Sequence, residues 1–225
     1  MMFLIILIML ASFAVQWRLR SKFKQYAQVA LHSGLSGAQV AELMLADHGI
    51  TDVRIISTDG QLTDHYNPTD KTVNLSESVY AERSAAAAAI AAHECGHAVQ
   101  HATAYSMLQF RSAMVPALSA VSTWMPWILM AGVFMINRSV IPLGVGIVLF
   151  SLTTLFSFVT LPVEFDASRR ALAWMDKRGI VTTSEHAMAK DALWWAAMTY
   201  VVAAISSLAT LLYYVMIFLG GSRRN

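Results

Sequence analysis

Apolar and polar positions divide this chain into long blocks. Four apolar runs, Met1 to Val15, Ala113 to Ile136, Val140 to Val163 and Ala192 to Leu219, flank two polar segments, Arg18 to Arg111 and Glu164 to Asp191. A helix needs about 20 mostly apolar residues to cross a bilayer. The last three runs reach that length, and the first is short, which puts Trp17 in the interface. Asn137, Arg138 and Ser139 form the break between the second and third runs. Pro116, Pro126 and Pro142 predict kinks, tolerated where neighbours satisfy the freed backbone groups. Trp194, Trp195, Tyr213 and Tyr214 lie towards the ends of the fourth run, as interfacial aromatics do.

The larger polar segment has shorter periods. Ser36 to Gly49 reads as a helix with Gly49 at its C-terminal end. Asp52 to Ser57 reads as a strand, Asp59-Gly60 as a turn, and Leu62 to Tyr66 as the returning strand of a hairpin. Asn67-Pro68 makes another turn, and Lys71 to Leu75 a further strand. Ser76 is the candidate helix N-cap, with Glu77 in the first turn. The alanine-rich stretch from Ser84 to Ala92 continues the helix into His93. The expected fold is mainly α, an integral membrane protein with about four transmembrane helices and a small α+β cytoplasmic addition. The expected segments are an anchor over 1–17, a cytoplasmic segment over 18–111, a transmembrane hairpin over 112–163, a second cytoplasmic segment over 164–191 and a last span over 192–219.

Composition agrees with a membrane location. The 225 residues are 56% hydrophobic and 13% charged, where a soluble domain carries about 25% charged residues. Eight Lys and Arg lie between Arg18 and Arg111 and five between Glu164 and Asp191, which places both segments in the cytoplasm by the positive-inside rule. An even number of spans separates them, so they share a side in either orientation. A secretory signal has its positive charge before the apolar run; here Arg18, Arg20, Lys22 and Lys24 follow it, so an uncleaved anchor with its N-terminus outside is expected. The net charge of +2 and the lack of a basic patch interleaved with aromatics exclude nucleic acid as a partner. Cys95 is the sole cysteine, so no disulfide framework exists.

The chemistry concentrates at His93-Glu94-Cys95-Gly96-His97. Positions i and i+4 share a helix face, so both imidazoles can reach one metal ion while Glu94 sits beside it as a general base. This is the H-E-x-x-H arrangement of zinc peptidases. Gly96 costs about 1 kcal/mol relative to Ala inside a helix, which a close approach by another helix or a substrate would explain. A third ligand is required. Thr103 stands where a longer His-based motif would place its third histidine, and His101 lies two turns from His93, too far to share the ion. Glu164 is the better candidate. It lies across the two-span hairpin, on the same side as the motif, and completes a His2Glu set with one open position. Asp166 competes for that role, or orients a ligand imidazole from behind.

The stretches Leu62 to Pro68, Val73 to Ser76, Ala91 to Gln100, Leu161 to Leu172 and Ala197 to Val201 together resemble the neutral zinc metallopeptidases of bacterial membranes, the YugP type, relatives of the HtpX-type proteases. The resemblance implies zinc at His93, His97 and Glu164, with Glu94 as base. In the HtpX type an Asp follows the ligand Glu by four residues; here that position is Ser168, which leaves the role open and Asp166 as a substitute. Asp64, His65 and Tyr66 are candidates to line the cleft, Val73 to Leu75 to offer a strand edge to an extended peptide, and Tyr200 to reach the site. The expected function is a membrane-bound, gluzincin-like zinc metalloendopeptidase that hydrolyses peptide bonds through a zinc-activated water. Its expected setting is a bacterial inner membrane, multi-pass, with the active site facing the cytoplasm and membrane or misfolded proteins as substrates. The rival is a non-enzymatic adaptor with a structural zinc site, which has no need of Glu94. A transporter predicts paired charges within the spans, and the three long runs hold none.

Overall fold

The computed structural model describes residues 2–222. Eleven elements follow in order: α1 (Met2–Tyr26), α2 (Gly37–Asp47), β1 (Arg54–Thr58), β2 (His65–Asn67), β3 (Thr72–Ser76), α3 (Glu77–Ala81), α4 (Ala85–Ala102), α5 (Ser106–Ser122), α6 (Met125–Phe134), α7 (Ile141–Arg178) and α8 (Thr183–Ser222). The protein is mainly helical with one small sheet. It forms two compact units, one of Met1–Ser12, Gln109–Leu161 and Tyr200–Asn225, the other of Phe13–Leu108 and Pro162–Thr199.

The first unit is apolar and helical. Helices α5 and α6 meet at a break bent by 51°, with Pro126 at the start of α6 and Pro116 inside α5. Proline removes a backbone donor and clashes with the preceding turn, so the predicted kink is a true break. Between α7 and α8, Thr154 and Ser207 pair their hydroxyls at 2.8 Å, a bond suited to a setting without water. Among the described residues, Ile141–Arg178 and Thr183–Gly221 are long and apolar enough to cross a membrane, and the α5–α6 pair makes a third if counted as one span. The expected count of four is therefore not reached among the described residues. The expected anchor begins at Met1, outside them, and helix α1 continues through its cationic stretch to Tyr26.

The second unit holds the sheet and most of the polar chemistry. Its strand order is β1-β3-β2, with β1 parallel and β2 antiparallel to β3. This corrects the expected hairpin between the first two strands. The hairpin is β2–β3, turning through Pro68 to Lys71. The 59–64 loop crosses the end of β3, held there by Asp64 Oδ1, which accepts from the Ser76 backbone N–H (2.7 Å) and hydroxyl (3.1 Å). Asp64 is the missed signal, because its carboxylate ties the crossing loop down. Strand β3 is the middle strand and is buried along its length, so it offers no free edge to a peptide; β1 and β2 are the edges.

The same contact occupies the Ser76 hydroxyl, which therefore makes no cap bond at α3. Helix α3 ends at Ala81, and α4 starts afresh behind Ser84, whose hydroxyl accepts from the Ala87 N–H (3.2 Å). Helix α4 runs through the core, with only His93, His101 and Ala102 outside the buried set. Alanines let α2, β3 and α7 pack close around it, with Val40, Met44, Val73, Leu75, Ala171 and Met175 in the shared core.

At Gly96 the backbone of α7 lies directly against α4. A Cβ there would lie 2.6 Å from the Ala167 carbonyl oxygen, inside any real contact, and backbone cannot swing aside. Helix propensity alone favours alanine at this position by about 1 kcal/mol. Overpacking costs about 1–3 kcal/mol and decides the sign: Gly96→Ala is expected to lower the thermal unfolding midpoint of the detergent-solubilised protein. Gly220→Ala, with open space around it, is expected not to. A stabilised Gly96→Ala protein would contradict this packing.

Candidate metal centre

Helical spacing places His93, Gly96, His97 and Gln100 on one stripe of α4. Glu164, Ala167 and Ser168 form the matching stripe of α7. The two smallest residues, Gly96 and Ala167, meet at the crossing, and the polar side chains flank them.

His93 Nε2 lies 3.3 Å from Glu164 Oε2, and His97 Nε2 lies 3.5 Å from the same oxygen. The rings of His93 and His97 stand edge to face, with centroids 4.8 Å apart. One ligand atom from each of the three residues falls within 4.8 Å of the others, the only such group of His, Cys, Asp and Glu among the described residues. Two donors at zinc bond lengths, about 2.0–2.1 Å, and a tetrahedral angle lie about 3.3–3.4 Å apart. The two nitrogen–oxygen separations match that spacing, so this donor set fits a zinc ion. His97 and Glu164 are buried, and His93 is half-buried.

The other nitrogen of each ring is held from behind. Gln100 Nε2 donates both to the Val163 carbonyl (2.8 Å) and to Asp166 Oδ2 (3.0 Å). With its amide nitrogen so engaged, Gln100 turns Oε1 towards His97 Nδ1 at 3.0 Å. An amide oxygen only accepts, so His97 Nδ1 carries the hydrogen and Nε2 keeps its lone pair facing Glu164. Ser168 Oγ sits 3.1 Å from His93 Nδ1. Burial works against a charged His97, but the hydrogen bond and charge of Glu164 outweigh it, and the pKa is raised. A proton and a metal compete for that lone pair.

Glu94 is buried next to the cluster, and its Oε2 accepts from the Tyr66 backbone N–H at 2.9 Å. Strand β2 thus fixes this carboxylate with a main-chain donor. The Tyr66 hydroxyl is bonded to His101 Nδ1 at 2.7 Å, so His101 lies outside the cluster. Asp166 is outside it as well. Arg169 and Arg170 pair with it, and it touches His97 only through Gln100. His65 Nδ1 bonds the Thr63 carbonyl at 2.7 Å. Burial pushes the Cys95 thiol pKa up, and its Sγ points at the Ala41 carbonyl (3.7 Å), away from metal chemistry.

The sequence reading brought together His93, Glu94, His97 and Glu164, and missed Gln100. Its available signal was a polar residue three positions after His97 on an otherwise apolar helix. Ser168 fills the position where the HtpX type has an acid and touches His93 itself, while Asp166 reaches His97 through Gln100.

The neutral zinc metallopeptidase family, described as "Putative neutral zinc metallopeptidase", matches residues 1–219, and this chain belongs to it. Zn2+ is accordingly its cofactor, and the His93, His97 and Glu164 group is one that could hold it. The chain is also 41% identical over 214 residues to the Bacillus subtilis (strain 168) protein named "Putative membrane protease YugP", covering 95% of this chain and 94% of the relative. No solved structure matches it.

Residues that orient a ligand imidazole contribute about 10–100-fold in metal affinity. Gln100→Leu, which keeps the bulk and removes the acceptor, is expected to weaken zinc binding by that factor in a chelator competition. Ser168→Ala is expected to do less, because the half-buried His93 can bond water instead. Unchanged affinity in Gln100→Leu would remove its orienting role.

Proposed function

We propose that this protein is a membrane-bound zinc metalloendopeptidase of the gluzincin type, with His93, His97 and Glu164 holding the zinc and Glu94 acting as general base. The observation that carries this reading is the buried convergence of both Nε2 atoms on Glu164 Oε2 at 3.3 and 3.5 Å, with Glu94 one residue along the helix. When bound, zinc supplies a Lewis acid that polarises the scissile carbonyl and makes water acidic enough to attack near neutral pH.

The chain's own groups do the rest. Glu94, steered by the Tyr66 N–H, takes the proton from the attacking water and passes it to the leaving amine nitrogen. Gln100 and Ser168 keep the two imidazoles aimed. Strand β2 has β3 on one side only, and alternation along a strand turns the N–H and C=O of a given residue to the same edge. The Tyr66 N–H reaches Glu94, so the Tyr66 carbonyl faces the open edge too. A substrate strand pairing there would be extended beside Glu94, the usual way an edge binds peptide. Two to three candidate spans and the relative's name support a membrane setting. The Lys and Arg distribution supports a multi-pass inner-membrane protein whose segments 18–111 and 164–191 face the cytoplasm, with membrane or misfolded proteins as substrates. A structural zinc site usually closes all four positions with protein ligands. Three donors beside a buried glutamate fit an open, catalytic site better than an adaptor's staple.

The test is cleavage of an unfolded protein by the purified, detergent-solubilised enzyme. Glu94→Gln is expected to keep its zinc and lose about 10²–10⁴-fold in rate. A strong chelator is expected to abolish wild-type cleavage, and added zinc to restore it. A zinc-loaded Glu94→Gln protein that cuts at the wild-type rate would refute the assigned base.

A further inference from the structure

A second feature lies along the N-terminal half of α4. A cavity of about 670 Å³ opens between the end of α1, the 61–64 loop and this helix. Ile90 lines it, four residues or about 6 Å before Glu94 and on the same face. Asp64 lines it too, two residues before the Tyr66 N–H that holds Glu94. The cavity therefore continues the proposed active site in the direction that a strand lying along β2 would take past residue 64.

Its walls have two characters. Phe23, Leu62 and Ile90 give it an apolar side. Leu62 is 52% exposed and has a φ of +58°, a left-handed conformation uncommon for a branched residue. Arg20 and Lys24, one turn apart on α1, give it a cationic side. Neither makes an ion pair among the described residues, whereas the neighbouring Lys22 is bound to Asp191 at 2.7 Å. Of the two acids on the lining, Asp64 has its carboxylate on Ser76, and Glu82 pairs with neither cation. The apolar wall and the two cations, which Glu82 does not neutralise, together suit a peptide that carries a bulky apolar residue and an acidic one.

We propose that this cavity is a substrate subsite that selects an acidic residue about two to four positions from the scissile bond, at about 3.3 Å per residue of extended chain, with Arg20 and Lys24 as the selecting groups. The inference rests on the proposed peptidase reading and extends it to substrate preference.

Binding without turnover separates the two. Fluorescent peptides carrying Asp at positions two to four on either side of a central apolar pair are titrated, by anisotropy, into the full-length zinc-loaded Glu94→Gln protein. Each is compared with its Asn twin. The Asp peptide is expected to bind about three- to tenfold more tightly in at least one position, a modest factor because both cations are exposed. That preference is expected to fall towards unity in added salt and in Arg20→Gln/Lys24→Gln, and to fall partway in each single variant, which guards against misfolding of the double one. Equal affinities for Asp and Asn at every position would overturn the subsite, as would a preference that survives neutralisation of both cations. Cleavage of the same peptides by wild type is read separately: binding selectivity without any cleavage counts against the peptidase reading and leaves only the preference of this cavity for acidic peptides standing.

Discussion

The backbone of α4 touches the backbone of α7 at Gly96 and Ala167, and most of the polar centre depends on that contact. The two histidines leave one helix on either side of the glycine, and Glu164 and Ser168 leave the other on either side of the alanine. If the helices were separated by the width of a methyl group, the 3.3 and 3.5 Å approaches to Glu164 would open. Packed interiors transmit such changes instead of absorbing them. The alanine-rich course of α4 serves the same end, since small side chains on every face let α2, β3 and α7 close around a helix that must carry ionisable groups.

Burying two imidazoles, two carboxylates and an amide is costly unless every polar atom finds a partner. Here each does: among the described residues, no buried side-chain nitrogen or oxygen lacks one. The bonds also have direction. The chain from Arg170 through Asp166 and Gln100 to His97 ends by fixing which ring nitrogen carries hydrogen, and that leaves the other free for a cation. Glu94 is treated differently. Its partner is the backbone of β2, an edge strand of the sheet. The His93, His97 and Glu164 group and the Glu94 carboxylate are thus tied to the sheet through α4 and β2.

Much of this could be read from the residues. Spacing alone put His93 and His97 on one face, because helix periodicity holds over a long, regular segment, whereas Glu164 was reached through topology and the family resemblance. Gly96 was legible as an expense awaiting a neighbour, and Ala167 is that neighbour. The rest depended on tertiary contacts. Nothing local distinguishes Ser76, claimed by Asp64, from Ser84, which caps α4. Strand order was misread because the short strands carry no register signal, and the Asp59-Gly60 turn looks like a hairpin until Asp64 draws the loop across β3. Gln100 was hidden since its role appears only when α7 brings Val163 and Asp166 against it. The α5–α6 break was visible as two prolines, although whether it divides a span is a matter of packing.

The central claim is the ligand set, and zinc K-edge X-ray absorption on the purified, zinc-loaded protein tests it most directly. The account predicts two imidazole nitrogens and light oxygen donors at about 2.0–2.2 Å, no sulfur, and the loss of one protein oxygen, with weaker zinc retention, in Glu164→Ala. A sulfur shell near 2.3 Å, which only Cys95 or a methionine could supply, would contradict it. So would a Glu164→Ala protein with an unchanged spectrum and full zinc content.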